Sequence, residues 1–437
     1  MLDALPDEER AAYAVLWEAC ADMDNFIERN LTSITGQLAH EVTRFYENRT
    51  LADSQQILNY LKQKLATNNS VNSLKLNDIL APHNEHPAPS TTENNTASPS
   101  WVRSIIGFPL FLQHTLRIWL HENKLEDLPR LLDRELLHLF ELYFFTHENK
   151  TENVRSFIKL LWTIRVLFDE NIIKWADQGE EEVHLISTIS VSESSGNRYM
   201  NRSRETDTDR GFSLLQSMLY HSQEITTQYW LTPLLLFIHK NTGKKSSWYF
   251  HYLRHLDNQL FGTGSSTSLV ERSHTSMDNF WLCNTFAYRD NLTQELGIKF
   301  PHYWFYKLEF VLWYLLKDSK DDRWKKFRLT AKNSVEHISP QHQTARDDNR
   351  VEAQLHHFGN LALVSRSLNS EYSNLPYNEK RQRFNNKNKS TLDSLKMALI
   401  YENDYWNDKE ALQHQAQMIA YFDQYYFLPI QESLSNV

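Results

Sequence analysis

Glycine and cysteine are scarce in this chain, and no apolar run is long. Ten glycines in 437 residues are too few for collagen-like repeats or Gly-rich β architectures, and they favour long helices with substantial cores. The two cysteines, Cys20 and Cys283, lie far apart and neither has a CxxC neighbour. That excludes a disulfide framework and a Cys-based zinc site, and makes a reducing cytoplasm the expected compartment. The most apolar stretches, 229–238 and 305–316, fall short of the ~20 residues needed to span a bilayer. The opening residues, MLDALPDEERAAYA, lack the basic and apolar regions of a signal peptide. A soluble protein with no membrane association is expected. Charge of one sign is also not in large excess: 46 Lys plus Arg stand against 55 Asp plus Glu, a net charge of −9. A generic polycation that coats nucleic acid is excluded, so any such site must be a local basic patch.

Aromatic residues are plentiful, with 12 Trp, 20 Tyr and 23 Phe, and the apolar (41%) and charged (23%) shares are those of a globular protein. The length, about three times the ~150 residues of one domain, predicts two or three domains. Apolar residues at three- and four-residue steps predict a helical N-terminal region over 1–66. Residues 67–100 turn to Asn, Ser, Thr and Pro, a disordered linker with too little apolar surface to fold. Helical spacing returns over 101–317, a second domain. It is interrupted by a polar excursion at 180–210 with a brief β-like run at 184–191. HENK occurs at 121–124 and again at 147–150, which suggests a helical hairpin repeat on thin evidence. The stretch 306–316 is apolar nearly all round and should be a buried helix. A third domain, 318–437, ends in a helix over 391–426.

Several motifs lead nowhere. Gly243-Lys244-Lys245-Ser246 lacks the first glycine of a phosphate loop, because Ile238 stands there. His251 and His255 sit four apart on a predicted helix without a carboxylate at ligand spacing, which favours a structural role. Ser265, Ser266 and Ser268 lack a nucleophile elbow.

One segment carries chemistry: SVEHISPQH from Ser334, HHFGNLALVSRSLNSEYSN from His356, and PYNEKRQRF from Pro376. Residues 334–338 read as a short strand closed by Pro340, 361–364 as a second apolar strand, and 376–386 as a helix opened by a proline. The order is strand, loop, strand, helix. Phosphodiester hydrolysis needs a base for water and a hard cation for the developing charge. Imidazole suits the first, and Glu and Asn oxygens suit Mg²⁺ or Mn²⁺.

At these residues the sequence resembles the HNH (ββα-metal, His-Me finger) nuclease domain, in the version that ends GmrSD-type modification-dependent restriction enzymes. Glu336-His337-Ile338 fits the acid-His-Ile pair, and Asn360 and Asn369 have the family's spacing of nine. The resemblance implies that His337 is the general base and that Asn360 holds its loop through hydrogen bonds. It implies that Glu336 and Asn369 bind the metal. Lys380 falls where that subgroup has a basic residue. Lys380, Arg381 and Arg383, with Lys387 and Lys389, form a basic run that either is a solvated helix face or grips phosphates. Of His356 and His357, one touches substrate or neither does; His357 is taken as the nucleic-acid contact.

The expectation is a mainly α protein, a multi-helical body with a small ββα-metal (HNH) nuclease module near the C-terminus. Its function would be metal-dependent DNA cleavage in the restriction of foreign DNA. The competing class is a non-catalytic helical scaffold or regulatory subunit that carries an inert module. The family's fused members begin with a nucleotide-hydrolysing domain bearing Asp-Gly-Gln-Gln-Arg, whereas the nearest string here is Asp53-Ser54-Gln55-Gln56. That points to a separate NTPase or regulatory subunit, or to a homo-oligomer, as partner beside DNA.

Overall fold

The computed structural model describes residues 1–68, 101–125, 129–178, 181–194, 196–205, 210–222, 227–278, 286–317, 319, 322–341, 350–388 and 391–427. Most of the expected 67–100 linker, Cys283 and Lys389 lie outside these. Among the described residues, no helix is long and apolar enough to cross a membrane.

The chain is mainly helical and divides into two compact units. The first comprises Met1–Ser213, Leu231–Tyr249 and Ser273–Met277. Its helices include α1 (Asp7–Ala21), α2 (Ile27–Thr35) and α3 (Ser54–Asn68). Strand β1 (Val102–Ser104) precedes α4 (Phe108–Glu122) and α5 (Lys150–Asn171). Then come β2 (Lys174–Gln178), β3 (Glu181–Leu185), β4 (Ser187–Ser194), β5 (Asn197–Arg204) and α6 (Leu231–Lys240). Helix α5 is the hub, since α1, α3, α4 and α6 all pack on it. The expected separation of 1–66 from the residues after 101 therefore does not hold. The sequence of α5 explains its place: Phe157, Ile158, Leu161, Trp162, Ile164 and Phe168 recur on several faces and all are buried.

Residues 101–204 also hold more strand than expected. β1, β2 and β3 form an antiparallel sheet in that order, and β4 pairs with β5 as a hairpin. The HENK strings are not a repeat. The first closes α4, and the second precedes α5 and supplies its first residue.

The second unit comprises Leu214–Trp230, Phe250–Arg272 and Asp278–Val437. The expected boundary at 317/318 thus falls inside one body. Its central helix is α7 (His302–Leu316), buried continuously from Tyr303 to Trp313, as an all-round apolar helix must be. Two charges in α7 are buried with their partners. Lys307 pairs with Asp257, which also accepts from the Tyr303 hydroxyl at 3.0 Å. Glu309 accepts from the backbone N–H of Leu395 at 2.6 Å, at the start of a later helix. Carboxylates are favoured there by the exposed N–H groups and the helix dipole.

After α7 come β6 (Ser334–His337), β7 (Leu361–Val364), α8 (Arg366–Tyr372), α9 (Tyr377–Lys387), α10 (Leu395–Ile400) and α11 (Asp408–Tyr426). β6 and β7 are antiparallel, with His337 opposite Leu361 and Glu336 opposite Ala362. All four residues of β7 are buried, and α7 packs on it. The expected strand, loop, strand order is observed. An additional short helix, α8, comes before the expected one, and α9 takes Pro376 as its N-cap rather than as its first residue.

Candidate active site

The site forms where β6 ends. Neighbouring residues on a strand face opposite ways, so Glu336 and His337 meet different surroundings. Glu336 turns to α9, where Lys380 Nζ reaches its Oε1 at 2.5 Å and also donates to the His337 carbonyl at 2.7 Å. Lys380 is fully buried, so it is not the phosphate-gripping surface lysine expected from the sequence. Burial pushes the Glu336 carboxyl up and the Lys380 ammonium down, and in each case the partner's charge opposes the shift.

His337 is 6% exposed. Its Nε2 lies 3.1 Å from Nδ1 of His356 and 3.2 Å from the Gln341 side-chain amide. Its Nδ1 makes no hydrogen bond to any described residue. Burial, then the charges of His356 and Lys380, hold the imidazole down to about 4. It is neutral at pH 7, the form that can accept a proton.

Asn360 pins the loops around this imidazole. It sits in a 3₁₀ turn, Phe358–Asn360, and is fully buried. Its Oδ1 accepts from the Ser339 backbone N–H at 3.0 Å and from the Trp406 indole at 2.9 Å, while its Nδ2 donates to Leu355 O at 3.0 Å. These bonds take three of the amide's four hydrogen-bonding directions, so Asn360 holds the backbone that follows His337. Lys396 supports the same turn from α10: its buried ammonium donates to Phe358 O at 2.5 Å and also to Leu361 O. Gly359 is obligatory there. A Cβ on it would lie 2.1 Å from the Ala411 carbonyl oxygen of α11.

Asn369 lies on α8, which opens with Ser365 accepting from the Leu368 N–H at 3.2 Å. Its side chain is half-buried and makes no hydrogen bond to a described residue. Among the described residues, no three His, Cys, Asp or Glu side chains converge on one point. The Asn369 amide oxygen and the Glu336 oxygen that Lys380 does not take have no described hydrogen-bond partner, and each is of the type that could serve a hard cation.

Of the described residues in the basic run, Arg383 and Lys387 are exposed, and the Arg383 guanidinium lies 3.3 Å from Glu371. Arg381 donates to Tyr401 O at 2.8 Å and pairs with Asp404. His357 is half-buried, and its backbone bridges to Glu295. Sequence reasoning gave no role to Gln341, Lys396 or Trp406 and weighed His356 only as a substrate contact; their partners are brought in by tertiary packing. His251 and His255, set aside as structural, lie on the helix Ser246–Asp257, where burial lowers both imidazoles.

The chain matches no curated protein and no solved structure. Residues 288–421, which carry every side chain of this site, match the family model for the C-terminal domain of GmrSD restriction endonucleases.

Proposed function

We propose that the protein is a DNA endonuclease acting in the restriction of foreign DNA, with β6, β7 and α8 as a ββα-metal (HNH) nuclease module. The observation that carries this reading is His337 itself. It is a neutral imidazole at a strand end inside the matched segment, with one nitrogen held by side chains and the other without a partner among the described residues. In this reading water attacks phosphorus as His337 Nδ1 takes its proton. Asn360 pins the backbone that follows the base, and Lys396 braces the turn that carries Asn360. A divalent cation, Mg²⁺ or Mn²⁺, would be held by Asn369 and Glu336 and would stabilise charge on the phosphate.

Purified full-length protein, incubated with supercoiled plasmid and Mg²⁺ or Mn²⁺, is expected to nick or linearise DNA, and His337→Ala is expected to lose this. Equal cleavage by a folded His337→Ala protein would remove the assignment. The non-catalytic scaffold reading has one observation in its favour: Glu336, a proposed metal ligand, is already paired with Lys380. Absence of cleavage of DNA and RNA under all these conditions, with and without NTP, would support it. Such a small site contacts mainly phosphate, which carries no sequence information directly. The reading therefore includes a restraining partner, either a separate NTPase subunit or a second copy of the chain. Light scattering and co-purification from the native host distinguish the two, and a selective, nucleotide-independent monomer would refute both.

A further inference from the structure

We infer that His356 is a positioning residue that sets the tautomer of His337. The inference rests on the nuclease reading above and concerns how its base is prepared. A neutral imidazole carries one proton, and the hydrogen bond made at one nitrogen decides which nitrogen keeps the lone pair. His337 is bonded at Nε2, to His356 Nδ1 at 3.1 Å, and Nδ1 has no described partner. If Nε2–H donates to His356 Nδ1, the Nδ1 lone pair of His337 is left for water. The opposite tautomer would put the proton on Nδ1 and direct the lone pair at His356, where no water can be activated.

The surroundings of His356 fix it for this task. Its carbonyl accepts from the Gly297 N–H at 2.9 Å. Gly297 has φ +53, and a Cβ there would come within 3.1 Å of His356 Nδ1, so a close approach of ring to backbone is built in. The two rings meet edge to face, at an interplanar angle of 79°. Gln341, an exposed residue, places its amide nitrogen 3.2 Å from the same Nε2. An amide N–H only donates, so the inferred tautomer requires this amide flipped, with its oxygen toward the ring. The arrangement parallels an acid that orients a catalytic histidine from behind, with a second imidazole as the acceptor.

The test uses the full chain labelled with ¹⁵N-histidine, together with His356→Ala, His356→Asn and His337→Ala. Imidazole ¹⁵N shifts at pH 7 are expected to report His337 as the Nε2–H tautomer in the wild type and as a mixture in His356→Ala. Asn places an amide oxygen where Nδ1 stood, so His356→Asn should keep the Nε2–H form. In cleavage assays His356→Ala is expected to lower kcat about 10²-fold with KM little changed, and His356→Asn to restore most of it. A wild-type His337 protonated on Nδ1 would overturn the inference whether or not the protein cleaves DNA. So would full kcat in His356→Ala when His337→Ala is inactive. Full activity in His337→Ala would instead overturn the nuclease assignment and leave the tautomer measurement standing.

Discussion

The Nζ atom of Lys380 sits 2.5 Å from Oε1 of Glu336, with the lysine fully buried and the carboxylate nearly so. This is an interior ion pair between α9 and β6, not a surface cation awaiting phosphate. Removing one partner strands the other charge in a poorly solvated place, which typically costs about 3–5 kcal/mol. Lys380→Met is therefore expected to lower the stability of the protein by roughly that amount in urea titrations. In a Glu336→Gln background the same change should cost markedly less. A phosphate-contact role predicts the reverse pattern: unchanged stability and a shallower salt dependence of DNA binding.

The depressed basicity of His337 fixes the pH behaviour of cleavage. A general base works in its unprotonated form, and this imidazole is held down to about 4. As pH falls through that value the base is protonated and the rate is lost; above it the rate is retained. Cleavage of a short synthetic phosphodiester should therefore be level between about pH 5 and 8, as far as the base governs it. An acid limb centred near the ordinary imidazole value of ~6.5 would show that the ring is more solvated than its 6% exposure implies.

Some of this could be read from the residues alone. β7 was legible because Leu361–Val364 is apolar and buried throughout, between a glycine turn and a serine cap. The long buried helix α7 was legible for the same reason. β4 was legible in part, because the β-like run at 184–191 covers its first five residues, where Ile189 and Val191 alternate with serines. β5, NRYMNRSR, was not, because it lacks that alternation. Helix α8 is only seven residues long, too short to establish a period, although Ser365 three places before Leu368 was an available capping signal. His337 and Asn360 were legible as a pattern. His356 was not, because its pairing depends on how the loop returns. The burial of Lys380 had a sequence signal in hindsight: Tyr377, Lys380 and Phe384 fall on one helical stripe, and all three are buried.

The turn that holds Asn360 has no room for a larger residue than glycine at 359. A Cβ there would meet the Ala411 carbonyl oxygen at 2.1 Å and Gln415 Cβ at 3.0 Å. The first contact is backbone and cannot rotate away. Gly359→Ala is expected to force the turn off α11 and to destabilise by about 1–3 kcal/mol, as overpacking does. The Gln415 side chain, which accepts from the Gly359 N–H at 3.1 Å, should lose that bond. Cleavage should fall along with the melting temperature. A melting temperature equal to wild type would mean that α11 can shift to make room.

Asn369 and Glu336 differ in what each can offer a cation, and the difference is measurable. Asn369 presents an uncharged amide oxygen with no described partner, while Glu336 already has one oxygen on Lys380. Asn369→Ala removes a whole side-chain oxygen with no described partner, and is expected to move the Mg²⁺ midpoint for cleavage upward by more than Glu336→Gln does. Glu336→Gln keeps an oxygen in place and relieves a buried carboxylate, at the expense of the Lys380 pair. Its effect should appear partly in stability and partly in metal demand. Wild type itself should saturate only at high Mg²⁺, because a site with so few protein ligands leaves the ion largely hydrated. Metal titrations of both variants that superimpose on wild type would show that neither side chain binds the ion.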